Sequence, residues 1–386
     1  MHAEPFTISV SDAALADLNA RLSRTRWPDQ LEGVEWEQGT DRGYLQDLIN
    51  YWQMGFDWRA QESALNHLAH FRATIGDQQI HFVHERARSG NGIPLIITHG
   101  WPGSFAEMLK LIPLLTDPEA HGGQGEVAFD VVVPSLPGYG FSPPPRRMGA
   151  NPFVIAELWA ELMAGLGYEH FAAQGGDWGA SVAIALGFLF PARVQGLHLN
   201  YIPGSFQPPS DPSGHDLTAE ERAFLAARAD WVETEGAYGR LHATKPQSLA
   251  YALNDSPVGL ASWILEKFRA WSDCEGEIER VFTKDELLTN ISIYWFTQTI
   301  GSSMRLYWES RRRPLRFAPG ERVRVPGALA VFPKEIPMPP RSWVERVIDV
   351  RRWSKMPKGG HFAALEQPAL LAQDLREFFG SLSPSG

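Results

Sequence analysis

The chain has 386 residues, 44% of them apolar and 21% charged, with a formal net charge of −10. That length can bury a large core, either as one big domain with insertions or as two domains, and the negative balance argues against a protein built to grip nucleic-acid phosphates. One cysteine, Cys274, excludes an internal disulfide; with no Cys/His spacing of a zinc site, composition favours a reducing cytosol and no structural metal.

Along the chain, the N-terminal stretch MHAEPFTISVSDAALADLNARL lacks the basic and apolar regions of a signal peptide. No window approaches 18 uninterrupted apolar residues, so neither export nor a membrane anchor is expected. Residues 1–90 carry a helical pattern in DAALADLNARLSRTRW, a Trp-rich connection and the strand-like QQIHFVHERA, with nothing that looks catalytic. Short apolar runs rich in β-branched residues and bounded by Gly or Pro follow at 94–100, 129–135, 170–176 and 194–202, then at 327–333 and 347–353; these read as buried strands. Helical patterns separate most of them. The clearest opens on Asn151 as N-cap and Pro152 at the first helical position, carries Ile155, Trp159, Leu162 and Leu166 on one stripe, and closes on Gly165 and Gly167. Such alternation predicts an α/β fold with a mostly parallel, doubly wound sheet covered on both faces.

Between 203 and 318 the strand signals vanish and aromatics crowd helical patterns, among them Trp231, Tyr238, Trp271, Tyr294 and Tyr307. The simplest reading is a helical cap at 203–318 folded over the strand ends, inserted between core segments at 91–202 and 319–386 and preceded by an N-terminal region at 1–90. The basic run Arg311 to Arg313, with Arg316, reads as a solvated edge.

Chemistry concentrates where the run 170–176 gives way to a helical pattern. Gly175, Gly176, Asp177, Trp178 and Gly179 have the small flanking residues of the strained strand-to-helix elbow that exposes the nucleophile of an α/β-hydrolase, with Asp in the position Ser commonly holds. No G-x-S-x-G occurs in the chain, and Ser181 already falls inside the helix. Asp177 could instead be a helix N-cap, so its companions decide. HGWPGS, His99 to Ser104, follows the first core strand, where this fold supplies one oxyanion N–H; the residue after the nucleophile supplies the other. The donors are then the amides of Trp101 and Trp178. Late in the chain, KGGHFAALEQP sets His361 in a glycine loop, and the strand at 327–333 ends beside Glu335. Asp177, Glu335 and His361 follow the nucleophile–acid–histidine order of this fold. Asp349 is a rival acid, but it sits within an expected strand.

A carboxylate, with an ordinary pKa of about 3.9, is ionised at neutral pH without help from a base. It attacks amides and esters poorly and suits displacement at a saturated carbon with a strained or good leaving group, giving an ester on the enzyme. His361, oriented by Glu335, would then direct water onto that ester. A departing epoxide oxygen needs donors, which two phenols of the aromatic insertion, Tyr238 and Tyr307, could supply.

Taken together, RLSRTRWP (21–28), HGWPGS, PSLPGYGFS (134–142), GGDWG, ATKPQSLAYALNDSPVGLASWILEKF (243–268), LTNISIYW (288–295) and GGHFAALEQP resemble the epoxide hydrolases of the microsomal type, over nearly the whole chain. The resemblance implies an α/β-hydrolase core, a cap, and an N-terminal meander wrapped around both. It implies Asp177 as nucleophile, Glu335 as triad acid, His361 as base and Tyr238 and Tyr307 as ring-opening acids. It also implies an apolar pocket for a small lipophilic epoxide, water as co-substrate, and no cofactor or metal. A homodimer is compatible with the sequence. The rival readings are a haloalkane dehalogenase, which typically has an Asn halide ligand in the oxyanion motif or elsewhere whereas position 101 here is Trp, and a non-catalytic binding protein on the same fold, disfavoured by a full set of reactive residues.

Overall fold

In the computed structural model, which describes residues 1–123, 127–203, 206 and 217–382, the apolar runs pair into one sheet. Its strands among the described residues are β1 (Ala3–Pro5), β2 (His70–Ile75), β3 (Gln78–Glu85), β4 (Ile93–Thr98), β5 (Phe129–Pro134), β6 (Phe171–Gly175), β7 (Val194–Leu199), β8 (Val323–Val331) and β9 (Ile348–Lys355), in the spatial order β1-β2-β3-β5-β4-β6-β7-β8-β9. From β5 through β9 every pairing is parallel, while β1, β2 and β3 extend the sheet antiparallel from the side of β5. All six expected core strands are present. The structure adds β1, only three residues long, and β2, where His70 and Arg72 interrupt the apolar pattern.

The central strands β4, β5 and β6 are apolar almost throughout because helices cover both faces. The helix Pro152–Gly165 forms where its cap predicted it, with the Asn151 side chain accepting from the Phe153 and Val154 amides. It packs beside the helix Asp177–Leu189, and Trp159, fully buried, donates its indole N–H to Thr98 Oγ1 at 3.0 Å. On the opposite face, Leu111–Thr116 and Pro368–Leu382 pack together and against the sheet.

Between β7 and β8 the described residues are helical: Ala219–Thr234, Ala237–Thr244, Pro246–Asp255, Pro257–Trp271, Lys284–Thr297 and Ile300–Arg312. Residues 204–205 and 207–216, at the start of the expected cap, lie outside the described residues. The N-terminal helices Asp12–Leu22, Arg42–Met54 and Trp58–Leu65 pack against Pro257–Trp271 and Lys284–Thr297. Arg21 Nη1 donates to Asp255 Oδ1, Thr40 Oγ1 to the Ser262 carbonyl and Tyr51 to Asp285. Residues 1–90 thus both widen the sheet and strap the cap in place.

The junction between β6 and the helix after it tolerates no side chain at its glycines. A Cβ on Gly179 would come 1.9 Å from the Thr98 carbonyl oxygen, and one on Gly175 would come 2.2 Å from the Gly179 backbone. Backbone pressed on backbone cannot yield as a flexible side chain would. Gly179→Ala should therefore destabilise the fold by about 3 kcal/mol, read as a lower urea midpoint at unchanged slope; a loss below about 0.5 kcal/mol would show that the junction has slack.

Candidate active site

Because β6 and its helix meet through glycines, the chain turns within one residue. Asp177 takes a left-handed conformation, φ +47°, which costs a non-glycine residue on the order of 1 kcal/mol and thrusts the carboxylate out of the elbow. Asp177 does not cap its helix: the cap position is Gly176, without a side-chain cap bond. Its Oδ1 instead accepts the Trp101 backbone N–H at 2.8 Å. That approach is open because residue 100 is glycine, where a Cβ would stand 2.3 Å from Oδ1. Trp178, the second residue of the helix, has an amide with no acceptor inside its own helix. One amide is thus bonded to the Asp177 carboxylate and the other follows it directly in the chain.

The loop carrying Trp101 is gripped from both sides. The buried His99 ring donates from Nδ1 to the Gly100 carbonyl and accepts the Leu136 N–H on Nε2. From the cap, Asn290 Nδ2 donates to the Pro102 carbonyl at 2.8 Å and Tyr294 to the Gly103 carbonyl at 2.7 Å. Asn290 and Tyr294 are one helical turn apart, so they face the loop as a pair.

Across the carboxylate stands His361. Its Nε2 lies 3.5 Å from Asp177 Oδ2, and its Nδ1–H donates to Glu335 Oε1 at 2.6 Å. Both side chains of that second pair are almost fully buried, His361 at 3% and Glu335 at 2% exposure. Burial alone would lower the His361 pKa, but the facing charges of Glu335 and Asp177 prevail and hold it well above its ordinary value. Burial pushes Glu335 up, against the pull of His361 and the Ile336 N–H. Asp349, the rival acid, is paired with Arg351 in β9 and only half-buried.

Four successive amides fix the histidine loop. Gly359 donates to Asp273 Oδ2, Gly360 and Phe362 to the Glu366 carboxylate, and His361 to the Trp271 carbonyl. Glu366 also accepts the Asp273 N–H. Burial pushes this carboxyl up to about 7, while the three N–H groups pull it back.

Above Asp177, Trp101 organises an aromatic cage. Tyr238 stacks on it at 5.1 Å and Tyr307 meets it edge-on at 5.9 Å; the two phenol rings are 5.9 Å apart. Burial holds both phenols well above their ordinary pKa, with the Asp177 charge adding to the effect, so both keep their protons at neutral pH. The Tyr307 hydroxyl is buried, and the Tyr238 phenol is the side chain acting on it by hydrogen bonding. Lys267, itself buried, places its ammonium 4.8 Å from the Tyr238 ring centroid, where a cation favours negative charge developing on that ring. Asp177, Trp178, Tyr238 and Tyr307 share a cavity of about 450 Å3 with Tyr201, Phe206, Trp231 and Ile336. Arg311 and Arg316, expected on a solvated edge, are exposed and also line this cavity, together with Arg228.

The structure therefore brings Asp177, Trp101, Trp178, His361, Glu335, Tyr238 and Tyr307 to one place. The sequence reading missed His99, Asn290, Tyr294, Asp273 and Glu366, all of which act on loop backbone. Two polar residues one turn apart in the apolar helix Lys284–Thr297 were the available signal for the cap pair. Among the described residues no group of three or more His, Cys, Asp or Glu side chains could hold a metal ion, and no helix is long and apolar enough to cross a membrane.

A sequence profile of the epoxide hydrolase N terminus matches residues 3–108, and one of the alpha/beta hydrolase fold matches residues 93–239. A protein named putative epoxide hydrolase from Stigmatella aurantiaca is 47% identical over 380 residues, spanning 98% of this chain and 85% of its own. Epoxide hydrolase 1 of Oryctolagus cuniculus is 39% identical over 97% of this chain and 88% of its own. Among solved structures, juvenile hormone epoxide hydrolase from the silkworm Bombyx mori superposes with a TM-score of 0.89 at 30% identity, covering 99% of this chain and 95% of that one. Aspergillus niger epoxide hydrolase gives 0.85 at 30% identity, over 99% and 97%.

Two histidines of this site test its burial. Burial holds His99 down at about 4 and His242, edge-on to Trp101, at about 3. An unfolded histidine titrates near 6.5, so below that pH the unfolded chain binds more protons than the folded one. Each ring then removes stability as pH falls from 6.5 toward its folded value, at up to about 1.4 kcal/mol per pH unit. Imidazole 15N shifts should show both rings neutral at pH about 5.5; protonated rings there would contradict the packing described.

Proposed function

The chain belongs to the epoxide hydrolase family, and we propose that it converts a lipophilic epoxide and water to a vicinal diol through a covalent ester on Asp177. The observation that carries this reading is the disposition around one carboxylate: an amide on Oδ1, an imidazole beside Oδ2 and two protonated phenols overhead.

Asp177 Oδ2 attacks a ring carbon, the C–O bond of the strained ring breaks, and the ring oxygen takes a proton from Tyr238 or Tyr307. A phenol suits this step because it is a donor at neutral pH and, under Lys267, tolerates the charge left behind. Esterification removes the Asp177 charge. His361 loses one of the two charges that raised its pKa, and its ring becomes more readily the neutral base required next. Water then gives a proton to His361 Nε2 and bonds to the Asp177 carbonyl carbon. The oxyanion that forms on Oδ1 meets the Trp101 and Trp178 amides, fixed in place before any charge arrives. Collapse breaks the ester at the carbonyl carbon, and the departing alkoxide takes the proton from His361. The remaining water proton leaves the new carboxyl and restores the phenol, so epoxide plus water is the whole balance.

The cavity walls set the substrate class. Rings and aliphatic side chains dominate around the phenols, so apolar substituents on the epoxide bury there. The free, buried thiol of Cys274 suits a reducing cytosol.

His361→Gln should form the ester and fail to discharge it, lowering turnover at least about a hundredfold and leaving a stable mass increase on the intact protein after exposure to styrene oxide. Asp177→Asn should give no adduct. Equal adduct in both variants would refute these roles. Tyr238→Phe and Tyr307→Phe should each slow ester formation by about tenfold or more in rapid-quench experiments while leaving ester hydrolysis unchanged; a slowed hydrolysis with normal ester formation would remove the phenols from ring opening.

A further inference from the structure

A second cavity touches the nucleophile. It has a volume of about 20 Å3 and shares Asp177 with the large pocket, but its other walls differ and include Glu107, Gln174, Asn200 and His361. One water needs about 10–15 Å3 of such space and two to four polar partners; no part of an organic substrate fits. Polar partners are at hand. Gln174, 1% exposed, spends its Nε2 on Asn200 Oδ1 and leaves Oε1 without a partner. His361 Nε2 stands 3.5 Å from Asp177, longer than a good hydrogen bond.

Glu107 is the group that the reaction scheme leaves unused. It lies in the short helix Phe105–Met108 directly after HGWPGS. Its carboxyl folds back over Gly103, where a Cβ would fall 1.4 Å from Oε1. Among the described residues no side chain forms a hydrogen bond or ion pair with it, and the Ser104 backbone N–H is the donor acting on it. Glu107 is half-buried and lines the cavity. Burial pushes this carboxyl up to about 8; Asp177 adds to the rise and His361 opposes it. While Asp177 is charged, Glu107 is thus a neutral acid that adds no repulsion to ring opening. Once Asp177 is an ester and His361 becomes an imidazolium, the same terms favour negative charge on Glu107.

We propose that this cavity binds the hydrolytic water and that Glu107 is the residue that holds it against His361 and the Asp177 carbonyl carbon. The proposal rests on the ester mechanism given above. One water hydrogen points to His361 Nε2 and is transferred; the other is bonded to a Glu107 oxygen, which leaves a lone pair of the water aimed at the carbonyl carbon. Epoxide enters from the aromatic side and water waits on the other, so each half-reaction has its own compartment.

The test separates the halves. Glu107→Gln keeps shape and loses the charge, and Glu107→Leu fills the same space with no oxygen to hold the water. Styrene oxide is mixed rapidly with each protein, and the quenched enzyme is weighed over time. In both variants the ester should form at a rate within about twofold of the parent and persist at least about tenfold longer, so that kcat and KM fall together and kcat/KM is unchanged. A residue that only propped the loop would lower kcat/KM as well. The proposal is overturned if the ester discharges at the parental rate, if its formation slows in parallel, or if neither variant folds by circular dichroism; if only one folds, that one decides. A parent that never gains the adduct would instead defeat the ester mechanism itself.

Discussion

The left-handed Asp177 is the constraint on which the rest of the structure depends. A residue with a side chain adopts that conformation only where its neighbours enforce it, and here the enforcement is backbone packing: Gly179 against Thr98, Gly175 against Gly179, Gly100 against the carboxylate. The strain, on the order of 1 kcal/mol, is stored at one residue and held by the buried core around β4 and β6. What it secures is position. Oδ1 is delivered to the Trp101 amide and Oδ2 to the side of His361.

Around that point the cap is part of the machinery. Asn290 and Tyr294 hold the carbonyls of the oxyanion loop, and the turn after Pro257–Trp271 supplies Asp273 and the Trp271 carbonyl to the histidine loop. The loop carrying Trp101 and the loop carrying His361 are each tied to the cap through their backbones. Substitutions that disturb the cap should therefore be felt at Trp101 and His361 even where they touch no substrate. Buried ionisable groups cluster at the same place: Glu335, His361, Glu366 and Glu107 all have pKa values displaced by burial and by one another. Such clustering is characteristic of sites where charge must appear and disappear.

The sequence made the scaffold legible because its signals were local. Continuous apolar runs bounded by glycine mark parallel strands, Asn151 with Pro152 marks a helix start, and the glycines about Asp177 mark an elbow. Chain order pointed to Glu335 and His361, and the family resemblance to Tyr238 and Tyr307; all four lie in the neighbourhood of Asp177. The unread residues are polar groups whose roles arise from tertiary packing. Glu107 and Glu366 stand in short helical segments where a carboxylate ordinarily faces water, and nothing nearby in sequence shows that each turns inward. Asn290 and Tyr294 find their partners some 190 residues away along the chain, at |i−j| of 188 and 191. Strand β2 was hidden for the same reason: His70 is polar in sequence, yet it is buried against His81 at 2.9 Å, a pairing visible only once β2 and β3 are side by side.

The account as a whole turns on oxygen passing through the enzyme. In one turnover with excess protein in 18O water, the proposed ester should be cut at the Asp177 carbonyl carbon, so that the diol leaves with an oxygen that began on the protein and the heavy atom remains in the carboxylate. Peptide mass analysis should find the label in the segment holding Asp177, with the first diol unlabelled. Label in that first diol, with none in the protein, would mean that water opened the ring directly, and the assignment of Asp177 as nucleophile would be wrong.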